Sequence, residues 1–328
     1  MPKSMDDNKK LLAYNIHVLQ KCPMLRELQD YINNTIRKPR QGSTSPYGKK
    51  TVKVAASIRS ESEDTHIHKL TPVLMEGLQG ELLGGVPCVD FCLKPNLEKK
   101  FLPQTLRPSV VELHKPSTQP QHDVCYGYIV RESARKAGVQ MAFDEEAEDK
   151  LDFEPLTGHL HLPFLTMQWK CPTGAENSYD ARLQGGCDGA AIVNHLFELY
   201  ERAGASPTLL QTCHLSIVTD GEQLQFHIHW RESERTKSGE EVLVHHMETV
   251  GRGAYSLSDE VDMEEARNMI KNITAYSTGA RLTSIKHHLQ SWGLKGTKRR
   301  RSATSEGHGS DRIPIQYNGV LMNCPGNS

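Results

Sequence analysis

Three side chains carry most of the chemistry legible in this chain. Asp123 opens the run Val124-Cys-Tyr-Gly-Tyr-Ile-Val130. Gln168 and Lys170 close the run Leu162-Pro-Phe-Leu-Thr-Met-Gln-Trp-Lys170. Both runs read as strands by composition. Residues two apart on a strand share a face, so Gln168 and Lys170 point one way and Met167 and Trp169 the other. An amide and an ammonium held side by side are costly in a core; they make sense where a metal and a phosphate sit. If the two strands pair, the Asp123 carboxylate, the Gln168 amide oxygen and the Trp169 backbone carbonyl converge. All three are hard oxygen ligands of the kind Mg²⁺ or Mn²⁺ accepts, with water and substrate phosphate filling the other positions. Lys170 would orient a water nucleophile or offset charge developing on a scissile phosphate. In outline this is a phosphodiester-hydrolysing site. The solvent face of an ordinary half-buried strand gives the same pattern, and an aspartate before a strand also caps turns.

The elements that must position these groups follow from periodicity. Two short helices are predicted over 6–20 and 24–37, broken at Pro23, with Leu25, Leu28, Ile32 and Ile36 at helical spacing. Residues 38–50 read as a flexible basic linker. A helix is predicted over 62–79, irregular at Pro72; residues 80–108 carry no clear pattern, and Ser109–His114 has strand composition. Strand 124–130 and the central strand are separated by about thirty acidic, poorly periodic residues. Val193, Leu196, Phe197 and Tyr200 mark a long helix over 178–203. Its glycines in Gln184-Gly-Gly-Cys-Asp-Gly189 cost helix propensity, so close approach to the sheet or to a ligand is the expected compensation. Strands 213–219 and 224–230 flank the hairpin signal Asp220-Gly221. A further strand is predicted over 241–248 and a helical region over 260–292, with Gly279 as its break. Helix, strand, strand, central strand, long helix, strand is an α/β order.

Composition narrows the class. The chain has 328 residues, 37% hydrophobic and 24% charged, and a formal net charge of −1. No apolar run reaches the ~20 residues of a membrane span, and the N-terminus lacks the apolar segment of a secretory signal. An intracellular protein with no membrane association is the expectation, its eight scattered cysteines reduced thiols. Seven basic and no acidic residues lie between Arg37 and Arg59, and seven acidic residues against Lys150 alone between Asp144 and Glu154. The cluster Lys295–Arg301 fits a nuclear-localisation or nucleic-acid patch, in a tail of disordered composition. Three His-x-His pairs, His66/His68, His159/His161 and His227/His229, invite zinc, but no cysteine stands at ligand spacing to any of them.

Asp123 in a Pro-x-x-Asp context, the long insert and the strand ending Gln168-x-Lys170 resemble the PD-(D/E)XK nuclease superfamily. The runs "HDVCYGYIV", "PFLTMQWKCP" and "QGGCDGAAIVNHLFELY" make 109–292 similar to the PD-(D/E)XK nuclease-like domain of many fungal proteins. The resemblance implies a restriction-endonuclease-like core, a mixed central sheet flanked by helices, over 51–293. A helical extension with a basic linker precedes it over 1–50, and a disordered basic tail follows over 294–328. It implies a Mg²⁺- or Mn²⁺-dependent nuclease, DNA being favoured over RNA as partner. Asp123 would be the first metal ligand, Lys170 the catalytic lysine, and Gln168 would stand where the family carries Glu or Asp. Gln184, with Tyr179 and Arg182 in the same helix, would contact substrate. Glutamine at 168 removes a full charge and leaves Asp123 as the one obvious anionic ligand; the acidic insert (for example Asp152 or Glu154) could supply another carboxylate, the less favoured outcome. A site weakened to nucleic-acid binding or protein interaction is the alternative.

Overall fold

A computed structural model describes residues 3–18, 20, 22–40, 46–75, 88–104, 119–171, 174, 176–236, 239–292, 312–317 and 320–325, with backbone alone for 3–6, 46 and 312–325. It is an α/β arrangement around a seven-stranded mixed sheet. In chain order the elements begin with α1 (Lys3–Ala13), β1 (Ile16–Val18), α2 (Arg26–Tyr31), a π-helical turn (Ile32–Ile36), α3 (Pro46–Ile58), α4 (Glu63–Met75), β2 (Val89–Leu93) and β3 (Val124–Ile129). Then come α5 (Arg131–Ala137), α6 (Glu145–Leu151), β4 (Leu160–Trp169), α7 (Ser178–Arg202), α8 (Leu209–Thr212), β5 (His214–Thr219), β6 (Gln223–Arg235) and β7 (Glu241–Ser256). Helices α9 (Glu260–Tyr276) and α10 (Leu282–Ser291) follow, joined through a π turn, and β8 (Arg312–Tyr317) pairs with β9 (Val320–Pro325) apart from the main sheet.

The sheet order is β1-β7-β6-β5-β4-β3-β2. Strands β2 and β3 pair antiparallel, as do β3 and β4, and β4 lies parallel to β5. A parallel pair needs a crossover, which α7 supplies. All ten residues of β4 are buried, the pattern of a strand covered on both faces. Trp169 faces α4, where the His66 ring lies 6.4 Å away; Gln168 faces α7.

The glycines of α7 are explained by the sheet. A Cβ on Gly186 would stand 2.5 Å from Val18 Cγ2, and one on Gly189 2.2 Å from the His229 ring. That ring is pinned by Ser216 Oγ, 2.7 Å from its Nε2. Gly189→Ala is therefore expected to destabilise the fold. Overpacking costs about 1–3 kcal/mol, against at most ~1 kcal/mol regained in helix propensity. Denaturant melts check this, and an unchanged midpoint would contradict the close packing of α7 on β6.

Several sequence expectations need correction. The first helix stops at Ala13, where Asn15 takes φ 56°, and 16–18 add an edge strand instead of continuing the helix. The chain is helical again from Pro46, inside the supposed linker. Strand β2 lies in the stretch that showed no pattern, while the strand read at Ser109–His114 falls outside the described residues. The acidic insert holds the two short helices α5 and α6. Gly279 sits in a π turn that carries the helix on into α10. The basic cluster Lys295–Arg301 also lies outside the described residues, and the β8–β9 pair was not anticipated in a tail of that composition. The seven described cysteines are free thiols, and among the described residues no helix is long and apolar enough to cross a membrane.

Candidate functional site

The pairing of β3 with β4 sets Val124 against Met167, so Asp123, one step before, stands opposite Gln168. There β3 has run out, and the Trp169 N–H would lack a ladder partner. Asp123 supplies it: Oδ2 accepts from Trp169 N at 2.7 Å. The N–H and C=O of one strand residue project to the same side, so the Trp169 carbonyl is directed toward the Asp123 side of β4. Lys170, held on the other side by its N–H to the Thr219 carbonyl at 2.8 Å, continues the face of Gln168. Asp123, Gln168 and Lys170 thus line one cleft of about 530 Å³.

Gln168 is fixed from beneath. Its Nε2 donates to Asp188 Oδ2 at 2.6 Å and to the Gln121 carbonyl at 3.0 Å. Both amide hydrogens are spent inward, which leaves Oε1 as the atom available to the cleft. Asp188 comes from the middle of α7 and is 2% exposed, with His122 Nδ1 3.1 Å from the same Oδ2. Burial pushes the Asp188 carboxyl up to about 8 and the His122 imidazole down to about 3. Both shifts favour the uncharged pair, one proton held on Asp188. Burial also raises Asp123 to about 6, against the Trp169 N–H that favours its anion.

The remaining walls come from further off in sequence. Glu63, in the first turn of α4, reaches within 3.9 Å of Lys170 Nζ, and Glu176, just before α7, lies 3.0 Å from it. Lys94 ends β2 in the left-handed region at φ 49°, a conformation costing a lysine roughly 1–2 kcal/mol. Its N–H donates to the Asp123 carbonyl at 3.0 Å and its ammonium meets Asp64 at 2.7 Å. Helix α1 adds Asp7, Lys10 and Leu11. Besides the protonated Asp188, the lining holds five carboxylates (Asp7, Glu63, Asp123, Glu176, Asp180) against three ammonium groups (Lys10, Lys94, Lys170). That balance suits a hard divalent cation.

Gln184 is exposed and lines the cleft. Tyr179 and Arg182 do not line it: the guanidinium stacks over the Tyr179 ring at 5.6 Å, and Tyr179 packs with the α1–β1 cluster. The acidic insert supplies no carboxylate here. Glu154 pairs with Arg202, and Asp152 lies with Glu148 and His161, whose Nε2 meets Glu148 Oε2 at 2.9 Å. Of the His-x-His pairs, His227 and His229 are buried, His229 on Ser216, and no cysteine lines up with them.

Sequence reasoning missed Glu63, Asp188, His122, Glu176 and Lys94. Asp188 alone had a local signal, a carboxylate amid Gly and Ala on a helix face otherwise fit for burial.

The neutral pair makes a pH prediction. Unfolded, Asp188 and His122 titrate near ~3.9 and ~6.5. Between those values both states hold one proton for the pair, and its contribution to stability is flat. Above ~6.5 the unfolded chain has lost the histidine proton while the folded chain keeps the Asp188 proton until about 8, so stability falls as pH rises. Below ~3.9 the unfolded chain takes up a second proton that the folded pair refuses until about 3, and stability falls again. In Asp188→Asn the alkaline fall should vanish, and the acid one should begin below ~6.5, where the unfolded histidine takes up a proton that the buried one refuses until about 3. Thermal melts of both proteins at pH 6 and pH 8.5 read this directly; parallel losses in the two would contradict a proton on Asp188.

Residues 51–289 match the family model described as a domain of unknown function, DUF7924. No curated protein matches the chain.

Proposed function

The chain belongs to the DUF7924 family, and from its own geometry we propose that it is a metal-dependent nuclease that hydrolyses nucleic-acid phosphodiester bonds, DNA before RNA. The observation that carries this reading is the convergence, at the ends of β3 and β4, of Asp123, Gln168 and Lys170 on one cleft, with the inward hydrogens of Gln168 spent and its Oε1 free. The order α4-β2-β3-β4-α7-β5, an antiparallel meander followed by a helical crossover to a parallel strand, supports a restriction-endonuclease-like core. Asp123, the Gln168 amide oxygen and the Trp169 carbonyl would hold Mg²⁺ or Mn²⁺, with Glu63 and Glu176 as further carboxylates on the Lys170 side. A bound divalent ion supplies Lewis acidity toward phosphate and water. Asp123 orients the end of β4 through the Trp169 N–H. Lys170 places a positive charge where negative charge grows on the phosphate oxygens. Gln184 lies where the substrate backbone would pass.

Plasmid DNA incubated with the purified chain should be nicked with Mn²⁺ or Mg²⁺ and left intact with EDTA, and Asp123→Ala should remove the metal-supported cutting. Cutting that persists in Asp123→Ala would overturn the assignment.

One observation favours a second reading. The cleft lining is acidic, and Lys170 is tied to Glu176, which suits a weakened module that binds a partner without cutting. In that case DNA binding, if present, is salt-sensitive and survives Lys170→Ala.

A further inference from the structure

The sequence offers no zinc motif, yet the fold assembles one. Cys22, in the segment between β1 and α2, meets Glu232 of β6 and His246 of β7, with their ligand atoms all within 4.8 Å of one another. His246 is 3% exposed, and its Nε2 lies 3.2 Å from Glu232 Oε1 and 3.2 Å from Glu234 Oε1. The Glu232 oxygen makes no regular hydrogen bond to that buried nitrogen, and the nitrogen's contact with Glu234 is a weak one. The Cys22 thiol, the Glu232 carboxylate and the His246 nitrogen are grouped closely enough for a small side-chain adjustment to bring them around a common ion. Bonds of 2.0–2.1 Å in a tetrahedron separate the ligand atoms by about 3.3 Å. The Trp230 ring stacks on His246 at 4.9 Å and holds it in place. The Cys22 backbone N–H donates to Glu248 at 3.2 Å, fixing the chain where the thiol enters.

We propose that Cys22, Glu232 and His246, with water completing the tetrahedron, form a Zn²⁺ site that ties the N-terminal segment to the β6–β7 pair. Thiolate and imidazole select zinc over the hard ions Mg²⁺ and Ca²⁺. The clip closes a loop of some two hundred residues, and long loops gain most from closure. It would also reinforce the apolar packing of α1 and β1, a three-residue edge strand with three paired positions on β7, behind the segment that carries Asp7 and Lys10 to the cleft. This proposal does not depend on what the cleft does.

The full chain, purified without chelator from zinc-supplemented medium, should retain one zinc per chain, and Cys22→Ser should retain less than a tenth of that. Co²⁺ added to the metal-free chain should give the near-ultraviolet thiolate charge-transfer band and the visible bands of a tetrahedral centre. Cys22→Ser should lose the charge-transfer band, whereas Cys171→Ser and Cys187→Ser keep it. Cobalt at the Asp123 cleft, bound through oxygens, gives no such band. Glu232→Gln should weaken Co²⁺ binding at least tenfold. Serine at 22 keeps the backbone hydrogen bond, and a circular-dichroism melt confirms that the variant folds. Absence of zinc together with absence of the band shows that His246 is merely a charge partner of two glutamates and overturns the proposal. A band that survives in folded Cys22→Ser overturns it as well.

Discussion

Replacing Lys170 with alanine is expected to lower metal-supported DNA cutting by about 10²–10³-fold, the scale of losing one preorganised electrostatic contact to a developing oxyanion. The side chain sits at the end of β4, whose backbone is clamped on both sides by the Thr219 carbonyl and the Asp123 carboxylate. Its ammonium is therefore aimed by the sheet, as a group acting in a transition state must be. The same substitution leaves Glu176 and Glu63 without their shared cation. Both are partly exposed but Lys170 itself is buried, so the stability loss should exceed the ~1 kcal/mol of a surface pair, and a melt separates lost chemistry from lost fold. Wild-type cutting rates in folded Lys170→Ala would remove the lysine from the mechanism. Undiminished salt-sensitive DNA binding with no cutting in either protein would favour the partner-binding reading.

The comparison of sequence with structure explains which parts of this site were legible. Asp123, Gln168 and Lys170 lie at the ends of two short apolar runs whose composition announces strands, and one strand pairing brings them together; that requires only local rules. Glu63 and Lys94 reach the cleft through the packing of α4 and the end of β2, and β2 has only five residues within a stretch rich in Gly and Pro. No periodicity can develop over so short a strand. The edge strand β1 fails for a similar reason: it has three residues and its apolar spacing continues that of α1, until Asn15 turns the chain. The glycines of α7 were legible as a demand for close approach, but which strand they approach depends on sheet order, decided by pairings across more than forty residues. Cys22 and His246 lie 224 positions apart, and no spacing rule connects them.

Gln168→Glu tests whether the residue meets the metal, and the buried pair beneath it determines how the test must be built. The new carboxylate would put an oxygen where Nε2 now donates to Asp188 and to the Gln121 carbonyl. With a proton on Asp188, one of those contacts can reverse: Asp188 donates and the new group accepts. The Gln121 carbonyl then loses its donor, at a cost of about 1–3 kcal/mol. The gain is a second anionic ligand in the cleft, expected to lower the Mn²⁺ concentration for half-maximal cutting by about tenfold, or ~1.4 kcal/mol. That gain should disappear as pH rises past about 8 and Asp188 loses its proton, because two adjacent buried anions cannot both persist. Adding Asp188→Asn replaces the titrating acid with a permanent amide donor, so the double variant should hold its tighter metal dependence across the same pH range. If neither the single nor the double variant shifts the Mn²⁺ requirement, Gln168 is a strut for the strand end and the ion is held without it. If the single variant is as insensitive to pH as the double, the proton does not reside on Asp188, and the neutral pair beneath the cleft is wrong.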